Sequence, residues 1–280
     1  MASFLRHELP KDYKLILTGD WHCGALGFDE EAALHITGRL LDEADTFGVF
    51  MGDAVEGKLA LSKHFNPDGL QKHRLTAGKQ FDYWGDLMHD TAPKWLACIP
   101  GNHDVYLDPD DDLMARVCRE HGLPYGDYQT WLDLGDVRGH LWHGFPTMPK
   151  GAKDPIQREG NQKSWLKRSL EELGAASAHF QAMGHTHYMM IVPPLEKYAL
   201  LDGGPNVKAR AYVQPEGTVD GMPYVPPDAK WYFNTGTLSR SGGFGHRRYS
   251  EVKGYRPQPL GYIEMTVCNG VIESARKVIV

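Results

Sequence analysis

Long apolar runs are missing from this chain. No stretch of its 280 residues approaches the roughly 20 consecutive apolar residues that a membrane-spanning helix needs, so no membrane association is expected. Cysteine is sparse. Cys23, Cys98, Cys118 and Cys268 are widely spaced and form no Cys-x-x-Cys pair. That usage suits free thiols in a reducing, cytoplasmic setting rather than a disulfide framework. The N-terminal segment MASFLRHELPKDYK carries charge where a signal peptide has its apolar stretch, so no secretion signal is expected. Internal repeats and interdomain linkers are also lacking. The expectation is one domain over residues 1–280 with a Pro/Gly-rich insertion at about 193–230. An overall positive charge is absent too. The formal net charge is −6, which argues against a protein that coats nucleic acid. The charge is uneven, however. Residues 1–135 hold 12 Lys and Arg against 23 Asp and Glu, and residues 136–280 hold 18 against 13, so a local basic face stays open in the second half.

What is present is a repeated punctuation. Tyr13–Leu17 reads as a buried strand ending at Thr18-Gly19-Asp20. Asp29 reads as the N-cap of a helix over 30–44, with Glu30 and Glu31 in its first turn. Phe47–Met51 is a second strand, ending at Gly52-Asp53, and a helix is expected over 75–89. Trp95–Ile99 is a third, ending at Pro100-Gly101-Asn102-His103-Asp104; a further helix opens at 110–112 and stops near Gly122. Gly139–His143 ends at Gly144. Asn161 is expected to cap a helix over 162–173, and Phe180–Met183 leads into Gly184-His185-Thr186-His187. Residues 193–230 read as irregular chain or β-hairpins, and the tail reads as a hairpin around Asn269-Gly270. Strand, loop, helix, strand is the pattern of a layered α/β fold. Ligands bind such sheets beyond the carboxyl ends of the strands.

The polar residues at those ends are Asp20, His22, Asp53, Asn102, His103, His143, His185 and His187. Imidazoles, carboxylates and one amide form a ligand set for two divalent metals. Asp20 and His22 are two residues apart, as are His185 and His187. In extended chain that spacing points both side chains to one side. A carboxylate such as Asp53 can offer one oxygen to each of two ions. Two metals about 3.5–4 Å apart suit phosphoryl transfer, activating a water and clamping the phosphate oxygens. Each motif alone is weak; their order on successive strand-end loops gives them weight. His140 lies three residues before His143 but lacks the following glycine, so His143 is the preferred candidate.

Taken together, Asp20-x-His22, Gly52-Asp53-x-x-Glu56, Gly101-Asn102-His103-Asp104, His143-Gly144, Gly184-His185-x-His187 and Asn234-Thr235-Gly236 resemble the calcineurin-like metallophosphoesterase superfamily. The resemblance implies an α/β fold, a four-layer α/β/β/α sandwich with mixed sheets and a two-metal site at the strand ends. It implies that Asp20, His22, Asp53 and His187 hold one ion, and that Asp53, Asn102, His143 and His185 hold the other. Manganese is the metal it suggests, with Fe, Zn²⁺, Ni²⁺ or Co²⁺ as alternatives. His103 would be catalytic rather than a ligand, protonating the leaving oxygen, with the Glu56 carboxylate favouring its charged form. Asp104 would shape the turn.

The implied activity is hydrolysis of nucleotide-type or small phosphodiesters by a metal-bridging hydroxide. A nuclease of the recombination-repair branch is the alternative, with nucleic acid as partner; those enzymes usually carry a capping domain for which little chain remains. Phosphoprotein phosphatases usually have Asp-Arg-Gly after the second motif and Glu after Gly-Asn-His, where this chain has Glu56-Gly57 and Asp104. A non-catalytic scaffold of the same fold would have lost ligands that are complete here. Two basic segments, 58–79 and 240–256, are candidates for substrate contact. Arg247 and Arg248 in the second are expected to meet a phosphate.

Overall fold

The computed structural model describes residues 3–57, 67–105, 112–145, 148, 152–202, 207–241 and 257–280. In chain order the elements are β1 (Ser3–Arg6), β2 (Tyr13–Thr18), α1 (Glu30–Asp42), β3 (Thr46–Phe50), α2 (Ala77–His89), β4 (Trp95–Cys98), α3 (Asn102–Val105), α4 (Leu113–His121), β5 (Gln129–Asp133) and β6 (Arg138–Trp142). There follow α5 (Pro155–Glu171), β7 (Phe180–Met183), β8 (Met189–Val192), β9 (Lys197–Asp202), β10 (Val207–Tyr212), β11 (Gly217–Val219), β12 (Met222–Tyr224), β13 (Trp231–Thr235), β14 (Gly261–Cys268) and β15 (Val271–Ile279).

The architecture is mixed α/β. One sheet has the order β15-β14-β2-β3-β4, with β2, β3 and β4 parallel and β14 and β15 antiparallel. The other has the order β1-β5-β6-β7-β13-β8, with β6, β7 and β13 parallel. Three cores hold the layers. Ile36 and Leu40 of α1, Phe81 and Trp84 of α2 and Val117 of α4 pack with Ile16 and Phe50 of the first sheet. Leu15, Leu17 and Val49 of that sheet pack with Leu132, Leu141, Phe180 and Phe233 of the second. Leu166 and Leu170 of α5 pack with Met183, Met190 and Tyr232. Strands with apolar residues on both faces read as unbroken runs, which is why β2, β3 and β4 were legible.

Helix starts follow the caps. Asp29 accepts from the Ala32 N–H at 3.1 Å and Asp112 from the Ala115 N–H at 2.9 Å. Gly122 closes α4 at φ 72°. The helix expected over 162–173 starts a full two turns earlier. Its cap is Asp154, which accepts from the Gln157 N–H at 2.8 Å, with Pro155 in the first turn. Proline is preorganised there because its missing N–H would be unpaired anyway. The insertion holds two hairpins, β9–β10 and β11–β12, that pair with neither large sheet. Among the described residues, no helix is long and apolar enough to cross a membrane.

Candidate metal centre

Six parallel strands, three from each sheet, send their C-terminal loops to one place. β2 delivers Asp20 and His22, β3 delivers Asp53 and β4 delivers Asn102. From the second sheet, β6 delivers His143, β7 delivers His185 and His187, and β13 delivers Asn234. Asp20, Asp53 and His143 are almost completely buried.

Two sets of donor atoms form around one shared carboxylate. In the first, His22 Nε2 is 3.1 Å from His187 Nε2, and His187 Nε2 is 3.4 Å from Asp20 Oδ1. Asp53 Oδ2 is 3.8 Å from His22 Nε2. In the second, the same Asp53 Oδ2 is 3.3 Å from His143 Nε2. Asn102 Oδ1 is 3.2 Å from His143 Nε2 and 2.8 Å from His185 Nδ1. Ligands bound to one cation at about 2.0–2.2 Å stand roughly 3–3.5 Å from each other, and most of these spacings match that range. The residues therefore fit a pair of divalent ions. His140 belongs to neither set; its ring packs against Trp131 at 5.2 Å.

The supports are as specific as the ligands. His143 donates from Nδ1 to the Met51 carbonyl at 2.6 Å, which turns Nε2 to the site. The His103 backbone N–H binds Asp53 Oδ1 at 2.8 Å and leaves Oδ2 for sharing. The His185 N–H donates to both Asp20 oxygens at 3.0 Å. Asp104 accepts from the backbone N–H groups of Gly101, Ala54 and Val55, tying the β4 loop to the β3 loop. Asn234 donates from Nδ2 to the Gly184 carbonyl at 2.8 Å, and Thr237 Oγ1 donates to the Asp20 carbonyl at 2.6 Å. No motif pointed to Thr237.

Backbone conformation is where extended geometry fails. Asp20, His22 and Asp53 have φ of 52°, His185 68° and His187 63°. Five of the seven non-glycine residues with positive φ among those described are thus candidate ligands. The i, i+2 pairs converge through left-handed backbone, not through the extended chain the spacing suggested. Such conformations cost on the order of 1–3 kcal/mol each and collect at functional sites. Gly101 is required by contact: a Cβ there would lie 2.2 Å from both Asp53 N and Asp53 Oδ1.

Charge follows burial and proximity. Burial works against ionised Asp53, yet the imidazoles of His143, His103 and His22 hold its carboxyl well below the usual range. Burial likewise opposes a charged His143, but Asp53 and Asp20 carry it up to about 10. Burial is the chief cause that lowers His22 and His185. Burial and the neighbouring Asp53 push Asp104 up to about 7.

His103 and Glu56 meet in an unforeseen way. His103 donates from Nδ1 to the Glu56 main-chain carbonyl at 2.7 Å, which leaves Nε2 for chemistry. The Glu56 carboxylate lies 3.2 Å from His22 Nδ1. Glu56 therefore contacts His103 through its backbone and the candidate ligand His22 through its side chain. One His103 ring nitrogen lies within 4.8 Å of ligand atoms of His22 and Asp53, so proximity alone does not separate acid from ligand.

Of the basic segments, Arg247 and Arg248 lie outside the described residues, as do residues 58–66. Arg240 is ion-paired with Asp29, the cap of α1. Arg74 lies 3.2 Å over the Tyr83 ring.

No protein-family model matches the chain, and no curated protein matches it. Solved structures similar to it include a conserved uncharacterized protein described as a predicted phosphoesterase from Streptococcus pneumoniae, at 11% identity and TM-score 0.37, covering 96% of this chain and 98% of that one. Chaetomium thermophilum Vps29 is similar at 12% identity and TM-score 0.42, over 96% and 97% of the two chains. A metallophosphoesterase from Sphaerobacter thermophilus is similar at 13% identity and TM-score 0.39, over 95% and 88%. Likenesses this distant assign no activity to the chain.

Proposed function

We propose that this chain is a two-metal phosphoesterase of the calcineurin-like type, acting on phosphodiesters of nucleotide or small-molecule kind. The observation that carries the proposal is the pair of donor sets sharing Asp53 Oδ2, with His103 beside them. Asp20, His22, His187 and Asp53 would hold one divalent cation; Asp53, Asn102, His143 and His185 would hold the other. Manganese is the cation proposed, on the resemblance to the calcineurin-like family; the His/Asp/Asn set itself would also accept Fe, Zn²⁺, Ni²⁺ or Co²⁺. The bound ions supply Lewis acidity at the phosphoryl oxygens and lower the pKa of water.

The chain's own residues do the rest. Asp53 and Asp20 are both almost completely buried, so their oxygens would face the cations with little screening by solvent. The Met51 carbonyl fixes the His143 tautomer by accepting its Nδ1 proton. The Glu56 carbonyl does the same for His103, so a protonated His103 Nε2 can donate to the oxygen that leaves. General-acid catalysis of this kind is worth about 10²–10⁴ in rate. Arg247 and Arg248 are proposed to meet a second phosphate of the substrate.

The test is a panel with Mn²⁺: para-nitrophenyl phosphate, its bis-ester, cyclic nucleotides and single-stranded DNA. The diesters should turn over fastest, and Asp53→Asn should abolish turnover and lower metal content. A variant that keeps near-normal rate and two metals per chain overturns the assignment. Turnover of single-stranded DNA alone would make the protein a nuclease.

A further inference from the structure

One aromatic surface adjoins the second donor set. Phe145 follows His143-Gly144 directly, and half of its surface (50%) is open to solvent. Its ring centroid is 6.0 Å from the His185 ring, with an interplanar angle of 31°. It is also 6.0 Å from the Tyr128 ring, stacked at 26°. Tyr128 in turn stands edge-on to His143 at 6.5 Å. The Phe145 plane therefore stands within 26° of the Tyr128 plane and 31° of the His185 plane beside the cluster. Gly144, at φ 97°, makes the turn that takes the chain from buried His143 to exposed Phe145. That positive φ is what favours glycine here, because the atom a Cβ would crowd, Met183 Cε at 2.5 Å, is the tip of a flexible side chain.

The donor sets offer charge and polarity to a phosphate, whereas Phe145 offers a flat, neutral, apolar surface. A phosphate gains nothing there; a planar ring attached to the phosphate does. We propose that Phe145, backed by Tyr128, stacks on the nucleobase of a nucleotide substrate whose phosphate lies at the donor sets. This rests on the phosphoesterase reading and narrows it from phosphodiesters in general to nucleoside phosphodiesters. Base–aromatic stacking contributes roughly 1–3 kcal/mol per base and tolerates any base, so the platform favours nucleosides without choosing among them.

The experiment compares two diesters with one leaving group: thymidine 5′-(4-nitrophenyl phosphate) and ethyl 4-nitrophenyl phosphate. In the wild type the thymidine ester should have the higher kcat/KM. In Phe145→Ala the ratio of the two kcat/KM values should fall about tenfold or more, mostly through KM for the thymidine ester, and Phe145→Trp should restore it. A ratio unchanged in Phe145→Ala, with both substrates impaired alike or neither impaired, overturns the platform. If the wild type hydrolyses neither ester, the phosphoesterase reading fails separately. Calorimetric binding of thymidine 5′-monophosphate with Mn²⁺ then decides the platform. Binding at least tenfold weaker in Phe145→Ala supports it, and equal or absent binding to both proteins overturns it.

Discussion

At the residue scale, the residues that cluster at the strand ends were legible and their conformations were not. Asp20, His22, Asp53, Asn102, His143, His185 and His187 announce themselves because each interrupts the chain just after an apolar run. The positive φ of five of them carries no signal in composition, since left-handed backbone at Asp or His is imposed by surrounding structure. Thr237 was equally silent: its hydroxyl holds the Asp20 carbonyl from 217 residues away. Glu56 shows what geometry adds. The carboxylate beside His22 Nδ1 opposes the burial that lowers that imidazole, and it orients Nε2 toward the site. Partners of this kind are typically worth 10–100-fold in metal affinity. Glu56→Gln is therefore expected to weaken Mn²⁺ binding at one site by about 10–100-fold, whereas His103→Ala leaves both affinities near wild type and loses rate. Calorimetric titration of the two variants separates them. If Glu56→Gln binds two Mn²⁺ normally and loses only rate, its carboxylate acts on His103 rather than on His22.

At the element scale, strands buried on both faces and helices with acidic caps were readable, because unbroken apolar runs and Asp before a periodic segment have direct physical causes. The start of α5 was not read, because Gly160 and the polar residues after Pro155 hide the helical period; the Asp154-Pro155 pair was the available cue. β1 and β5 escaped because SFLR and QTWLD each hold only two adjacent apolar residues, too few to fix a period in sequence, although both strands alternate in burial. The hairpins of the insertion were foreseen only as a choice between irregular chain and β-structure. They are exposed on both faces: Tyr198 is 75%, Leu200 77% and Met222 71% accessible. They branch from the end of β8 opposite the metal cluster, since β8 runs away from His187 and antiparallel to β13. The Leu195 N–H bonds the Asp228 carbonyl at 2.7 Å, so the arm's two ends meet at its base. Its ties to the body include the ion pair Lys197–Asp228 and a 3.4 Å contact between Glu216 and His179, whose imidazole burial holds toward the neutral form, and pairs at the surface contribute about 0–1 kcal/mol. Replacing residues 197–223 with a short Gly-Ser linker is expected to leave the melting temperature within about 4 °C of wild type, at roughly 2–4 °C per kcal/mol. A fall of 10 °C or more in a thermal melt would place the arm inside the cooperative core.

At the scale of the whole molecule, the centre concentrates cost. It buries Asp20, Asp53 and Asp104, all from the half of the chain that holds the acidic excess, and it gathers five strained backbone positions from both halves. The imidazoles offset part of that charge, as the depressed Asp53 carboxyl shows. They do so incompletely, because burial lowers His22 and His185 and so disfavours their charged forms. Divalent cations would remove the conflict, since neutral imidazoles and ionised carboxylates are the forms that ligate metal. A ligand that binds only the folded chain stabilises it by RT ln(1 + [L]/Kd), about 2.7 kcal/mol at a hundredfold excess over Kd. At roughly 2–4 °C per kcal/mol, one site filled to that level raises the melting temperature by about 5–10 °C. Wild-type protein melted with Mn²⁺ should therefore exceed its value in chelator by at least that margin, and Asp53→Asn should lose most of the increment because both donor sets lose their shared charge. The comparison needs no substrate, so it tests the metal centre apart from any activity. Equal melting temperatures in chelator and in saturating Mn²⁺, Fe²⁺, Zn²⁺, Ni²⁺ and Co²⁺ would mean that the two donor sets hold no ion.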